Sequence, residues 1–428
     1  MCDLAAINLG AVLTNLHHEP DLLNPPLLLL GVGLLYCLFG WLLGSYTVLR
    51  WPWLRLRLVL QRLALTALAS LTTLVLISWA FALDAITYSL LSRAVLVELL
   101  LWQSGFALAT RLLLRWLSRR HPRAVWQLMA EPHHQQEVAR EWQRNPFVRP
   151  PRLLTPARLN QASSDSSRSL ALALAPGLEL DEEQRSQIGQ LQSRGVVVTT
   201  LEDLAQRQLE RLPPSLLSDS WLTYPELPWS DEFSFQRKLK RTADLAVAVP
   251  LLVLSTPLLL LAGAAIWMED RGSVFYVQQR SGWMGRPFRL IKLRTMRQAP
   301  LDAPTPWTQS ADRRVTRVGA LLRRTRLDEL PQLINVLRGE MSLIGPRPEQ
   351  PQLDDQLAQR IPHYRKRYWM PPGLSGWAQV CGPAYPASLE EAELKVSYDL
   401  YYLRNWSVIL DLLILAKTIK TLLKVRGR

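Results

Sequence analysis

Cysteine and histidine are scarce in this chain of 428 residues, which has three of the first (Cys2, Cys37, Cys381) and six of the second. No cysteine spacing matches a disulfide framework or a zinc finger, so neither holds the fold together, and the sparse thiols fit a reducing compartment. The pairs His17/His18 and His133/His134 are adjacent. Neighbours on a helix diverge by about 100°, which suits solvated surface rather than metal ligation. Acid is short relative to base: 36 Asp and Glu stand against 50 Lys and Arg, a net charge of +14. Such a surplus needs an anionic partner. Zinc-finger, homeodomain and RNA-binding aromatic patterns are missing, so nucleic acid is not that partner. No basic stretch precedes the first apolar run, against a cleaved signal peptide.

Long apolar runs are present instead, and arginines bracket them. Pro26 to Val48, Arg62 to Leu83 and Ala94 to Leu114 each have the ~20 residues a bilayer core requires. Arg50, Arg55, Arg57 and Arg62 follow the first run; Arg111, Arg115, Arg119, Arg120 and Arg123 follow the third. The positive-inside rule places both of these loops in the cytoplasm, and parity places the chain before Pro26 outside. Residues 4–16 are too short to span, so either the amino terminus is external or they form a shortened fourth segment.

From His121 to about Asp231 the composition turns polar. Residues 169–177 and the start of 195–212 read as strands, the second leading into a helix that Thr200 or Asp203 caps, which makes a small α/β unit. Neither strand is followed by Gly-x-Gly-x-x-Gly, so this unit is a spacer or dimerisation domain rather than a nucleotide site.

Residues 245–268 are again apolar, with Pro250, Pro257 and basic residues on both sides. A straight crossing would expose one basic flank outside. A re-entrant helix, broken at Thr256-Pro257 and returning to the same face, keeps both inside; an ordinary span with a proline kink is the other reading. Residues 407–428 mix a wide apolar face with Asp411, Lys417, Lys420 and Lys424 and suit an interfacial helix.

Between these two membrane contacts lies the chemistry. Residues 274–296 read as strand, glycine turn, strand, with Lys292 and Arg294 on one face. Six arginines (Arg313, Arg314, Arg317, Arg323, Arg324, Arg326) then precede the adjacent carboxylates Asp328 and Glu329, and a Gly-Pro-Arg-Pro turn carries Arg347. Pro331 is tolerated only in a first turn and Gly339 is a stop, so a helix starts near Asp328 and its free amides face phosphate. An isolated Leu-Asp-Glu-Leu would be an N-cap and nothing more. Among guanidiniums, one carboxylate can act as a nucleophile toward phosphorus and its neighbour can hold Mg²⁺.

The runs KRTADLAVAVPLLVLSTPLLLL, FRLIKLRTM, RRTRLDELPQLINVLRGEMSLIGPRP, PPGLSGWAQV and SYDLYYLRNWSVILDLLILAKTIKTLL together resemble the bacterial monotopic phosphoglycosyl transferases, the polyprenyl-phosphate sugar-1-phosphate transferases, in their long form. The resemblance covers Lys240 to Leu423. It implies transfer of a sugar-1-phosphate from a UDP-sugar, glucose or galactose by analogy, to undecaprenyl phosphate with Mg²⁺, the first membrane step of exopolysaccharide or O-antigen synthesis. It further implies Asp328 as nucleophile, Glu329 as metal ligand, Lys292, Arg294, Arg323 and Arg347 as substrate contacts, and Thr256-Pro257 as the helix break. A bacterial inner-membrane location with the site on the cytoplasmic face, and a homodimer, follow from the same likeness. Arg326 stands where the family has Ser, Thr295 replaces Ser, and Cys381-Gly382-Pro383 replaces Asn-Gly-Arg, leaving Arg326 or Lys395 to supply the lost cation.

The expected fold is thus a membrane protein of mixed α/β class. Residues 1–118 form a transmembrane helix bundle, 119–231 a cytoplasmic α/β linker domain, and 232–428 a mainly helical catalytic domain. Two other readings compete. One is a non-catalytic membrane scaffold for polysaccharide assembly; the other is a polytopic phosphotransferase, which would spread carboxylates over several membrane loops, whereas these spans hold almost none.

Overall fold

The computed structural model describes residues 12–13, 26–46, 56–80, 93–120, 125–145, 148–154, 170–297, 314–383 and 386–423. The short segment 4–16 and the His17/His18 pair therefore lie outside the described residues apart from positions 12 and 13. The chain divides into two compact units, Met1–Arg123 and Ala124–Arg428.

The first unit contains three apolar helices, α1 (Pro26–Leu42), α2 (Leu56–Ala80) and α3 (Arg93–Arg120). Leu29, Val32, Leu74, Val95, Leu96 and Leu99 make one buried cluster, and Tyr36, Val59, Leu63, Leu100 and Ala107 make a second. Stretches in α2 and α3 are long and apolar enough to cross a bilayer. Helix α1 has 17 residues, the short end of that range. It stops where the chain turns at Gly44, whose φ is +79°. Two arginines close its carboxyl end: Arg62 donates to the Gly44 carbonyl at 3.0 Å, and the buried Arg111 donates to the Ser45 carbonyl at 3.2 Å. Arg62 of α2 and Arg111 of α3 thus meet at the turn that follows α1. Their N–H groups satisfy carbonyls of that turn.

The second unit begins with a parallel sheet in the order β2-β1-β3-β4, from β1 (Val125–Met129), β2 (Arg152–Leu154), β3 (Leu170–Leu174) and β4 (Val197–Thr200). Its alternation is clean. Leu128 and Ala173 face α4 (Pro132–Gln143) and α6 (Leu201–Leu209), while Met129 and Leu172 face α5 (Glu182–Ser193). Thr200 caps α6, accepting from the Asp203 amide at 3.2 Å, as its sequence implies. Neither β1, an inner strand, nor β2, an edge strand, was legible in the sequence.

No break follows at 231/232. The Leu212 amide donates to the Ser397 carbonyl at 2.8 Å, the Trp377 indole to the Glu210 carbonyl at 3.1 Å, and Leu212, Trp221 and Trp229 share a core with Tyr364, Trp377 and Tyr402. The polar composition of 119–231 hides this seam, because the burying residues come from a short tryptophan-rich stretch at its end.

Helix α7 (Phe235–Asp270) is longer than the expected 245–268, and helical backbone runs through both Pro250 and Pro257. The Ser255 and Thr256 hydroxyls both donate to the Leu252 carbonyl, at 3.1 and 2.8 Å, back-bonding within the turn before Pro257. One stripe is buried, including Lys240, Asp244, Ala248, Ser255, Ala262 and Ile266. Leu254, Leu260 and Leu261 stand out on the other side, 69% exposed or more. At the amino end Lys240 pairs with Asp411 at 2.7 Å, Arg241 donates to the Val336 and Leu337 carbonyls, and Asp244 accepts from Ser342 and the Leu343 amide. At the carboxyl end Glu269 and Asp270 bind the same unit.

After α7 come the antiparallel hairpin β5 (Phe275–Ser281) and β6 (Pro287–Leu293), then α8 (Arg317–Thr325), α9 (Gln332–Arg338) and β7 (Ser342–Ile344). The rest is α10 (Pro351–Ala358), β8 (Gly373–Ser375), α11 (Trp377–Cys381), α12 (Leu389–Arg404) and α13 (Val408–Leu423). Ile409 and Leu412 of α13 are exposed while Ile414 is buried, an amphipathic distribution.

Candidate active site

Helix α8 ends on Arg326 in the left-handed conformation, with φ +60°. The chain then makes a 3-10 turn, Leu327–Glu329, and Pro331 leads into α9, which Gly339 ends at φ +81°. The carboxylate pair therefore sits in a tight turn between two helices, a few residues before the helix that the sequence started there. Four amides of the turn and of the start of α9 are engaged: Glu329 and Leu330 donate to the Arg326 and Leu327 carbonyls, and Leu333 and Ile334 to Leu330 and Pro331. The cations that face the pair are side chains.

Those side chains converge from three directions. Lys292 projects from β6, opposite Tyr276 in the hairpin register, with its ammonium 5.0 Å from the Tyr276 ring centre. Arg323 comes from the last turn of α8, where Nε donates to the Thr295 hydroxyl at 2.8 Å. Threonine at 295 thereby serves as a hydroxyl acceptor. Arg347 comes from the Pro-Arg-Pro turn and binds Glu329 at 2.6 Å.

The two carboxylates live in opposite environments. Burial and the neighbouring Glu329 charge push Asp328 up to about 6, against the pull of Lys292, Arg323 and Arg347. Its Oδ1 is buried without a hydrogen-bond partner among the described residues. Burial opposes ionisation of Glu329 too, but Arg347, reinforced by Arg326, outweighs it and holds that carboxyl below its usual range. Burial and the Arg280 and Arg347 charges bring Lys292 down to about 8. One carboxylate is consumed by an ion pair and its neighbour is left with an idle oxygen. Such a split in proton affinity between adjacent acids divides their roles.

The Arg347 turn is braced from every side. Gly345 and Gly373 pack backbone to backbone, so that a Cβ on Gly373 would meet the Gly345 nitrogen at 2.0 Å. The Arg347 carbonyl accepts from Arg367 at 2.9 Å, and that buried guanidinium is fixed by Asp399 at 2.8 and 3.0 Å. Asn335 in α9 seals the outer edge of β6, accepting from the Ile291 amide at 3.1 Å and donating to the Arg289 carbonyl at 2.7 Å. This ties the dyad's helix to the strand that carries Lys292.

Arg294 is placed elsewhere. Beyond the last ladder pair, Phe275 with Leu293, its guanidinium turns to Asp270 at the end of α7. Lys395 is likewise withdrawn, buried in an ion pair with Glu349, while Arg326 lies 3.9 Å from Glu329. The cation beside Cys381 is Lys417, which donates to its sulfur at 3.1 Å. Sequence reasoning missed Arg280, which lies on the same hairpin face as Lys292 and reaches Glu349 at 3.5 Å. Counting back by twos from the glycine turn could have found it. Arg367 had no such signal, because its partner Asp399 is 32 residues away.

Apolar helices combined with a carboxylate pair inside a cationic pocket define a membrane-type protein with a site suited to phosphate esters. Comparison gives the family. Residues 235–425 match the family model described as bacterial sugar transferase, and the chain belongs to that family. It is 45% identical over 185 residues to "UDP-N-acetylgalactosamine-undecaprenyl-phosphate N-acetylgalactosaminephosphotransferase" of Aeromonas hydrophila, covering 43% of this chain and 44% of that one. Against "UDP-glucose:undecaprenyl-phosphate glucose-1-phosphate transferase" it is 45% identical over 187 residues for the Caulobacter vibrioides protein, covering 43% and 69%. For the Escherichia coli protein of the same name it is 41% identical over 184 residues, covering 43% and 40%. The chain thus spans less than half the length of two of these three relatives.

Proposed function

We propose that this protein transfers a sugar-1-phosphate from a UDP-sugar to undecaprenyl phosphate, releasing UMP, through a covalent intermediate on Asp328. The observation that carries the reading is the unpartnered Asp328 Oδ1 beside Lys292, Arg323 and Arg347, next to a Glu329 already engaged by Arg347. In the first step an Asp328 oxygen bonds to the β-phosphorus of the UDP-sugar, and the bond from that phosphorus to the bridging oxygen breaks. The electron pair leaves with UMP. In the second step a phosphate oxygen of the lipid bonds to the same phosphorus, and the carboxylate departs. In this reading Lys292 and Arg323 stabilise the equatorial oxygens, and Arg347 shifts from Glu329 to phosphate.

Glu329 is the carboxylate on which a divalent cation would rest once Arg347 shifts away from it. Among the described residues no three His, Cys, Asp or Glu side chains gather as a metal cage. Mg²⁺ requires less, since one or two carboxylates with substrate phosphates and its own waters suffice. Glu329 would hold it, and bound Mg²⁺ would neutralise charge on the leaving nucleotide.

The exposed apolar sides of α7 and α13 favour seating this unit on a bilayer. Both ends of α7 bind one body, which supports a helix that enters from one face and returns to it, on the cytoplasmic side of the bacterial inner membrane. A role in exopolysaccharide or O-antigen assembly, and a homodimer, belong to the same proposal. The sugar is glucose or galactose in this reading; N-acetylgalactosamine enters the test because of the Aeromonas relative's name.

The deciding experiment incubates the full chain with undecaprenyl phosphate, Mg²⁺ and a panel of UDP-sugars, following UMP and the intact mass. One sugar should yield UMP and a phosphosugar adduct, and Asp328→Asn should yield neither. UMP release by Asp328→Asn at the wild-type rate would refute the covalent route. Silence of the wild type with every sugar would favour the scaffold.

A further inference from the structure

Helix α8 delivers Arg323 to the dyad, yet its own start is closed by a different helix. The first N–H groups of a helix lack intrahelical partners. Thr316 supplies two acceptors: its hydroxyl takes the Gly319 amide at 2.9 Å and its carbonyl the Ala320 amide at 2.8 Å. The other two amides reach across to α7. Arg317 donates to Glu269 Oε1 at 2.8 Å and Val318 to Glu269 Oε2 at 3.2 Å.

Glu269 is the penultimate residue of the long apolar helix, and the residue after it has a parallel task. Asp270 binds Arg294, whose neighbour Thr295 holds Arg323 Nε. The two carboxylates that end α7 therefore grip both segments that fix Arg323, one at the start of its helix and one at its side-chain acceptor. Ala262, Ile266, Leu293 and Leu322 fill the space between them. A Cβ on Gly319 would meet the Thr295 carbonyl oxygen at 2.1 Å, so these segments already touch without slack. A carboxylate at a helix amino terminus also favours the helix through its dipole.

We propose that Glu269 is a positioning residue for Arg323, through which the seating of the apolar helix α7 sets the cation facing the transferred phosphate. The inference rests on the reaction proposed above. It differs from a plain stabilising cap because it requires Glu269 to act through Arg323.

A double-mutant cycle separates the two. Adduct formation from the UDP-sugar that releases UMP is measured in single turnovers for the full-length wild type, Glu269→Ala, Arg323→Ala and the double variant. Glu269→Ala should slow it about 10-fold, and the double variant should be no slower than Arg323→Ala, a coupling of at least about fivefold. Glu269→Gln, which keeps an acceptor oxygen, should recover most of the rate. If the wild type releases no UMP, the reaction reading fails, and the same cycle on the Kd for UDP decides the inference. Independent, multiplying effects of the two substitutions in the readout used would overturn it, as would a Glu269→Ala protein within twofold of wild type.

Discussion

At the scale of the residue, the site works by giving two adjacent carboxylates different surroundings. Asp328 is 9% exposed and has an idle oxygen, so its charge is held at a cost. Its folded-state value of about 6 lies above the 3.8 of a free aspartate. An acid raised in this way adds stability that is complete below its unfolded value and lost as pH rises through about 6. At neutral pH the ionised group therefore weighs against folding, by on the order of 2–3 kcal/mol. Asp328→Asn should then melt at a higher temperature than wild type at pH 7.5, with the gap closing toward pH 4; a lower melting point at pH 7.5 would contradict the burial argument. Reactivity should follow the opposite trend. Only the carboxylate attacks, so the rate of adduct formation should fall about tenfold for each pH unit below about 6.

At the scale of the element, close approach decides more than propensity. Helix α8 lies so near the Thr295 backbone that only glycine fits at 319. Gly319→Ala should cost about 1–3 kcal/mol, through forced backbone shifts, and should weaken UDP binding because Arg323 moves with its helix. Thermal melting and calorimetric titration with UDP report the two effects. Helix α7 shows the same contest between local and tertiary forces. Its two prolines remove two backbone bonds, yet contacts at both ends keep helical backbone through them. With both ends on one body, cysteines introduced at positions 238 and 271 should be labelled only from the cytoplasmic side of intact cells. External labelling of either would refute the re-entrant arrangement.

At the scale of the whole molecule, the compact units assign independence differently from composition. The Ala124–Arg428 unit holds its own cores and joins the α/β sheet to the catalytic elements by main-chain bonds such as Leu212 to Ser397. A 124–428 fragment should therefore melt as one transition, and it should still need detergent because α7 and α13 expose apolar faces. Two separate transitions, split near residue 231, would show that the linker is a domain of its own.

What was legible in the sequence was whatever local chemistry determines. The cores of three apolar helices, the hairpin turn around Gly282 and Gly285, the Thr200 cap and the Gly339 stop all depend on neighbours a few residues away, and each appears where its residues imply, whereas the Asp328-Glu329 pair falls in a 3-10 turn just before the helix expected to start there. Tertiary structure alone decided which cations reach the dyad. Lys292 and Arg294 sit two apart with the same charge, yet one faces Asp328 while the other pairs with Asp270, because the end of α7 packs beside Arg294. Arg367 and Asp399, Arg347 and Glu329, and Glu269 and the start of α8 meet only when distant segments pack. Charge pairing in a buried site depends on distance in space, which no spacing along the chain encodes.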